Sequence, residues 1–204
     1  MYLVRIQLPD RPGALGRVAT AIGALGGDID AIEIVERGNG YAIKHFMLEL
    51  PAETPSDALV SACSEIPGVE VQWISRYPGS WGIESDIETL DRMSSDPGRA
   101  REILISSVPV TFHCQWAVLL GSDGETLAAS ELAPELSREA GRGLLVTSPS
   151  RAELPAGWLP GWVESTIAAV PLPDGCVIVI GRSGGPSFLD SELKRLRHLA
   201  SLAS

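Results

Sequence analysis

The chain has 204 residues, of which 45% are hydrophobic and 21% are charged, and a formal net charge of −10. These values are typical of a soluble globular protein of one or two domains, and we expect two; the acidic charge argues against direct binding to nucleic acid. No apolar run approaches the ~18 residues of a membrane-spanning helix, and no signal peptide precedes the first strand pattern, so we expect no membrane association. The three cysteines lie far apart in the sequence, which favours reduced thiols and a cytoplasmic location.

The first 78 residues predict the element order βαββαβ. Alternating apolar residues indicate strands, and apolar residues at helical spacing indicate two helices, the first with Leu15, Val18, Ile22 and Leu25 inward. An Asn-Gly pair at position 39 predicts a hairpin between the second and third strands. This order packs naturally as a ferredoxin-like sheet with both helices on one face. The predicted strands are 2–8, 28–36, 41–50 and 69–74, and the predicted helices are 14–25 and 56–65.

The turn after the first strand is the feature around which this half is organised. Pro9, Pro12 and Gly13 stop the strand, and Pro12 is suited to the first turn of the following helix. Gly13 leaves the backbone amides at the helix start uncovered, and such amides bind carboxylates and other small anions. The turn therefore predicts a site for a small metabolite.

Residues 1–78 resemble an ACT domain, a small regulatory module that senses amino acids in metabolic enzymes. The resemblance is carried by Asp10-Arg11-Pro12-Gly13-Ala14-Leu15 and by Gly27-Asp28-Ile29. It implies a ligand site at the turn of one subunit, completed across a dimer interface by the start of the second strand of the other subunit. The implied ligand-binding residues are Asp10, Arg11, Pro12, Gly13, Ala14, Leu15, Asp28 and Ile29.

The resemblance leaves the ligand open. Many liganded members have an asparagine where this chain has Asp28 or Asp30, and an aspartate pairs with an α-ammonium group but cannot donate a hydrogen bond to a carboxylate. Other members of the family bind nothing and act as dimerisation modules. Elsewhere in this half, His45 is expected at the surface or in an interface, and Cys63 is expected in the core.

The second half begins after a segment rich in prolines and glycines at residues 77–82, which predicts the domain boundary. Residues 131–162 show no clear period and are consistent with one strand at 143–147. The predicted helices are 84–93, 99–108 and 188–203, and the predicted strands are 113–120, 126–130, 165–172 and 176–182.

This second half resembles a GAF domain, a sensor fold similar to PAS domains. The resemblance implies a central antiparallel sheet with flanking helices. The middle of this half is short and rich in loops where family members have the strand and helix that wall a ligand pocket, which favours a domain without a ligand. The residues that carry the resemblance are Ala169-Val170-Pro171-Leu172, Asp174-Gly175, 177–181 and Phe188-Leu189-Asp190-Ser191-Glu192-Leu193.

Two short segments match catalytic motifs formally. Residues 181–185 match G-x-S-x-G, but the acid and the histidine that would have to follow Ser183 all lie on or beside one terminal helix. Residues 191–194 match S-x-x-K without its companion motifs. His113 and Cys114, as neighbours in a predicted strand, point to opposite faces and cannot share a metal ion. With no phosphate, dinucleotide or metal motif in the sequence, we expect no cofactor and no enzyme activity.

Two other residue types have an alternative interpretation. Cys114 and Cys176 lie on strands that a GAF-like sheet brings close, which suggests a redox sensor, although buried thiols are usually inert. Four tryptophans could line a pocket, but aromatic side chains are more often core residues. These four are Trp81, Trp116, Trp158 and Trp162.

The sequence therefore predicts an α+β protein with an ACT-like ligand-binding or dimerisation domain at 1–78 and a GAF-like domain at 79–204. The predicted function is regulatory: the first domain binds an amino acid or related small metabolite in a homodimer, and the signal passes to an unknown protein partner. The alternative is a scaffold or dimerisation subunit that binds no ligand.

Overall fold

The computed structural model describes residues 1–76, 83–154 and 165–203. The chain divides into two compact units, Met1–Gly79 and Ser80–Ser204. The predicted α+β class is confirmed, since each unit combines an antiparallel sheet with helices. The segment predicted as the domain boundary, 77–82, lies outside the described residues.

The first unit has the predicted βαββαβ order and a ferredoxin-like sheet. Its strands pair in the order β2-β3-β1-β4, and each neighbouring pair is antiparallel. The second and third strands are joined by a tight turn in which Asn39 and Gly40 have φ of 53° and 80°, as a type I′ hairpin requires. The elements are β1 Tyr2–Pro9, α1 Ala14–Ala24, β2 Asp28–Gly38, β3 Tyr41–Glu49, α2 Ser56–Ser64 and β4 Glu70–Arg76.

The helices cover one face of this sheet, and one predicted core residue is misplaced. Val18 and Ile22 of α1 are fully buried against the apolar face of β1. The sequence predicts Leu15 beside them, but it is 36% exposed, and Ala14 takes the inward position instead. The reason is the helical period, because Ala14 lies four residues before Val18 and therefore above it on the same stripe. Cys63 is buried in this core, as predicted.

The other face of the same sheet contains a buried polar pair. Arg5 is fully buried and its Nε donates a hydrogen bond to Nε2 of His45 at 2.9 Å. Of the two expected places for His45, the surface is therefore wrong, since the residue is only 3% exposed, and the interface stays a prediction. Because Nε2 accepts this bond, the neutral imidazole carries its proton on Nδ1. The strand register places Glu33 and Trp73 in the same row of the sheet.

The second unit is built on a five-stranded sheet with the order β6-β5-β9-β8-β7, antiparallel throughout. Flanking helices and an antiparallel sheet agree with the predicted architecture. The helices are α3 Ile83–Ser95, α4 Ala100–Thr111, α5 Arg138–Gly143 and α6 Asp190–Leu202, with one 3₁₀ turn at Pro97–Arg99. The strands are β5 Trp116–Leu120, β6 Thr126–Ala129, β7 Ser150–Leu154, β8 Ser165–Pro171 and β9 Val177–Ser183.

Two predictions for this unit are wrong. Residues 143–147 contain no strand. Helix α5, capped by Ser137, ends at Gly143, and the strand of this region is β7. The glycine-rich composition concealed α5, whose Gly141 packs directly on the backbone of Gly124. His113 and Cys114 do not belong to β5 either, because the chain turns after α4 and His113 has a φ of 50°.

The sheet of the second unit buries both faces. One face packs against α4 and α6, with Ala117, Leu119, Ile178 and Ile180 as central residues. The opposite face is an apolar surface that contains the fully buried Trp116. The other three tryptophans named above lie outside the described residues.

Candidate functional site

The turn between β1 and α1 is tightly hydrogen-bonded. The Asp10 N–H donates to the Gly40 carbonyl at 3.0 Å, and the Arg11 N–H donates to the Pro9 carbonyl at 2.9 Å. Gly13 has a φ of 82°, a left-handed conformation that favours glycine, and it caps α1. Pro12 therefore lies before the helix and not in its first turn, which corrects the expectation for that residue.

The amides of this turn are divided between internal bonds and open donors. The Ala14 N–H is used internally, since it donates to the Arg11 carbonyl at 3.2 Å, and its side chain is buried. Pro12 has no N–H. The N–H groups of Gly13, Leu15 and Gly16 have no hydrogen-bond partner among the described residues. Of the predicted residues in this turn, only Gly13 and Leu15 therefore have an N–H group available to an anion. The N–H group of Gly16 is also available, and the sequence did not indicate it.

Comparison with known proteins decides the identity of the first unit. Residues 2–68 match the family model of the ACT domain. This segment is an ACT domain. Such domains are regulatory modules that generally bind small molecules and often dimerise.

One curated relative shares a segment of this chain. NAD-dependent malic enzyme 1 of Bacillus subtilis strain 168 is 37% identical over 71 residues, which make up 34% of this chain and 16% of the enzyme. The match thus spans about a sixth of the enzyme.

Two crystal structures cover 99% of the chain at 11% identity and a TM-score of 0.34. They are an unknown protein from Galdieria sulphuraria, 89% covered, and a formyltetrahydrofolate deformylase from Pseudomonas putida KT2440, 93% covered. At this TM-score neither likeness supports a conclusion. The GAF resemblance of the second half stays a prediction, because the family match ends at residue 68.

The remaining predicted ligand residues lie at the other end of the ACT sheet. Asp28 pairs in register with Glu49, whereas Pro9, which leads into the turn, pairs with Tyr41. These two places are separated by the length of β3, roughly 26 Å at the rise of a strand. Asp28 and Ile29 of one ACT domain therefore do not meet its own Asp10–Leu15 turn.

Strand β2, which begins at Asp28, is an edge strand of the ACT sheet and pairs only with β3 among the described residues. It has two irregularities in register, one beside Asp30 and one beside Val35, which are β-bulges. Ile32 and Ile34 lie on the helix-covered face of the sheet, yet they are 38% and 45% exposed. The long edge and its exposed isoleucines are features of an interaction surface.

Charged groups surround the turn of the ACT domain. The Asp10 carboxylate lies 3.9 Å from Nε of Arg37, at the end of β2. Arg11 and Arg17 are exposed on either side of the open amides. The first turn of α1 contains no acidic residue. This arrangement favours an anionic group over the helix start.

The second unit does not arrange Ser183 as a nucleophile. Ser183 is the last residue of the central strand β9, in register with Ser165, and its N–H donates to Oε1 of Gln115 at 2.8 Å. A nucleophile elbow would place it on a sharp turn between a strand and a helix.

Within the described residues, no group of three or more histidine, cysteine or acidic side chains could hold a metal ion. None of the described helices has the length and apolar character to cross a bilayer.

A buried ion pair in the second unit was missed from the sequence. Nη2 of Arg182, which is fully buried, donates to Oε1 of Glu192 at 2.9 Å and to the Phe112 carbonyl at 2.9 Å. Its other nitrogens donate to the carbonyls of His113 and Pro186. The sequence shows an arginine near the end of an apolar strand and a glutamate in the first turn of a helix. This pattern is too common to predict a buried ion pair.

The cysteines are poorly placed for a redox switch. Burial raises the pKa of Cys114 to about 12, and burial together with Asp174 raises the pKa of Cys176. Trp116 pairs with Gly181 and Leu120 with Val177, so Cys114 and Cys176 lie beyond opposite ends of the paired strands β5 and β9. That separation exceeds the ~7 Å limit between the Cα atoms of a disulfide.

Proposed function

We propose that this chain is a cytoplasmic regulatory protein, not an enzyme, whose ACT domain binds an amino acid or a related small metabolite in a homodimer. The observation that carries the proposal is the start of α1, where the amides of Gly13, Leu15 and Gly16 are open and the first turn of the helix contains no acidic residue. A ligand carboxylate fits these donors, because helix N-termini favour negative charge.

The sheet geometry supports a site shared between two copies. If two β2 edges pair antiparallel about a two-fold axis, the start of one β2 lies beside the end of the other. The end of β2 lies at the same end of the sheet as the turn, since Arg37 contacts Asp10. Such pairing brings Asp28 of a second copy to that end, and it covers Ile32 and Ile34.

The charges in such a site match a zwitterion. The amides receive the carboxylate, and Asp28 of the second copy receives the ammonium group. Because only the assembled dimer holds both, ligand binding stabilises the dimer by linkage. The signal then passes to a protein partner of unknown identity.

A second candidate function is dimerisation without a ligand. The exposed edge of β2 and its isoleucines favour it, because they would associate equally well whether or not the turn is occupied. In that case the chain is a scaffold or dimerisation subunit.

A thermal-shift screen of the full chain against the twenty amino acids separates the two functions. We expect one or a few amino acids to raise Tm by several degrees at a concentration of about 100 Kd. Gly16→Glu should abolish that shift, because Gly16 has open space around it and the new carboxylate competes for the free amides. Gly16→Gln tests the charge, and Gly23→Glu is a matched control at another open position of α1.

The outcomes are distinct. A screen without any shift favours dimerisation alone. A shift that survives Gly16→Glu as well as it survives Gly23→Glu excludes the start of α1 as the site. Sedimentation of the full chain then tests the dimer, since Ile34→Asp should weaken association in both functions.

A further inference from the structure

The helix-covered face of the ACT sheet contains a buried lysine. Lys44 lies in β3, in register with Ile6 of β1 on one side and with Ile34 of β2 on the other. Side chains directly opposite one another in an antiparallel sheet share a face, and Ile6 belongs to the core beneath the helices. Lys44 itself is only 7% exposed. Lysine is rarely buried to this extent unless it is paired, so this position needs an explanation.

The ammonium group of Lys44 has no hydrogen-bond or ion-pair partner among the described residues. Its Nζ is not one of the fully buried polar atoms that lack a partner, so the ammonium reaches the surface while the four-carbon stem is buried. A buried stem restricts where the ammonium lies. A cation that is held in this way without a protein partner is available to an anion from outside the chain.

The side of Lys44 that borders solvent is the β2 side, near the start of α1. Helix α1 connects β1 to β2 and therefore crosses β3, which lies between them in the sheet. The helix starts after the end of β1, so its first turn lies at the end of the sheet where β3 begins. Ile6 is fully buried, whereas Ile34 is 45% exposed, so the uncovered side of this row of residues faces β2.

The ammonium of Lys44 and the open amides of the turn belong to the same corner of the ACT domain. Tyr41, the first residue of β3, pairs with Pro9, and Lys44 is three residues further along, roughly 10 Å at the rise of a strand. The flexible lysine stem spans part of this distance. Arg37, at the end of β2 in the same corner, lies against Asp10. The corner thus offers an anion two separate positive features, the start of α1 and Lys44.

We propose that Lys44 binds a second anionic group of the ACT ligand, which makes that ligand an amino acid with an acidic side chain. This inference rests on the function proposed above. The open amides bind the α-carboxylate, and Lys44 binds the side-chain carboxylate through a charge-assisted hydrogen bond. An amino acid with a neutral side chain leaves the ammonium without a counter-charge, so Lys44 determines which ligand is preferred.

Calorimetric titration of the full chain with aspartate, glutamate, asparagine and glutamine measures this preference. We expect an acidic amino acid to bind at least about tenfold more tightly than its amide, which has the same shape without the charge. Lys44→Met keeps an apolar stem beneath α1 and removes the charge, so it should abolish the preference and leave the affinity for the amide unchanged. Lys194→Met is the matched control, because Lys194 is the other lysine of the chain and is exposed on α6.

The outcomes separate this inference from the function on which it rests. If neutral amino acids bind and acidic ones bind no better, the ACT site exists but Lys44 does not select its ligand. The same conclusion follows if Lys44→Met keeps the preference for the acid. If none of the twenty amino acids binds, the proposed function fails, and the role of Lys44 fails with it.

Lysine resonances give a readout that needs no variant of Lys44. In a chain labelled at Cε of its two lysines, the signal that remains in Lys194→Met is that of Lys44. Aspartate or glutamate should shift this signal, and the corresponding amide should shift it much less. Equal shifts with acid and amide would overturn the assignment, even where Lys44→Met does not fold.

Discussion

The N-termini of α1 and α6 differ in whether a side-chain carboxylate of the protein lies at the helix start. In α6, the Glu192 carboxylate accepts from the Leu189 N–H at 2.7 Å and is paired with Arg182. In α1, Gly13 offers no side chain, and amides remain open. Both termini have the same partial positive charge, so the difference lies in whether the protein itself supplies the anion. The start of α6, where Glu192 supplies the anion, has a structural role. The start of α1, where the amides have no partner among the described residues, is available to a ligand.

We expect the largest loss in the free energy of unfolding from a change at the start of α6. Arg182→Met leaves Glu192 buried without its counter-charge and removes the donor to three carbonyls, so we expect a loss of about 3–5 kcal/mol in urea unfolding. Arg99→Met is the matched control, because Arg99 pairs with Glu102 at 2.9 Å but both are exposed. Its loss should cost far less than that of Arg182, because solvent screens an exposed ion pair.

Replacement of both Arg182 and Glu192 tests whether the loss of stability in Arg182→Met comes from an unpaired buried charge or from altered packing. Arg182→Met combined with Glu192→Met should recover part of the loss, since no charge is then left buried. If Arg182→Met alone costs no more than Arg99→Met, the start of α6 does not depend on the buried pair.

The same network borders a thiol that makes stability depend on pH. Burial raises the pKa of Cys114 from 9.0 to about 12, with smaller opposing effects of Arg182 and Glu192. Between these two values the unfolded chain loses the thiol proton while the folded chain keeps it. The free energy of unfolding should therefore be unaffected below about pH 8 and fall above about pH 9, by up to about 1.4 kcal/mol per pH unit.

The variant Cys114→Ala removes the contribution of this thiol to the pH dependence of the free energy of unfolding. Urea unfolding with a reductant, at several values between about pH 8 and 10, should show a shallower decline for the variant than for the unmodified chain. The variant also loses a constant amount of stability by truncation, which does not change the slope. Parallel slopes would mean that Cys114 is not as buried as the structure indicates.

The features of the ACT domain that could be predicted are those that local chemistry decides. The left-handed Asn39 and Gly40 follow from the turn residues, and the helix stripe at Val18 and Ile22 follows from the period. The separation of Asp28 from the turn also follows from the hairpin, because its position sets the register of β2 and β3.

The features that could not be predicted depend on contacts distant in sequence. Burial of His45 requires knowledge of both faces of the sheet, and a period of two shows only one. Helix α5 is short and glycine-rich, and it exists where Gly141 meets the backbone of Gly124. Which amides stay open at the start of α1 depends on the turn's own hydrogen bonds, which composition does not reveal.

The smallest predicted effect tests the open terminus. Gly16 has nothing within 4 Å of the position that a Cβ would take, and the same is true of Gly23 further along α1. Alanine is the better helix former, so Gly16→Ala should stabilise the chain by about 0.5–1 kcal/mol in urea unfolding, and Gly23→Ala should do the same. A methyl group carries no acceptor, so the amide of residue 16 stays available and any amino-acid thermal shift should persist in Gly16→Ala. A destabilising Gly16→Ala beside a stabilising Gly23→Ala would mean that the space over the start of α1 is occupied by protein, and the contrast with α6 would fail.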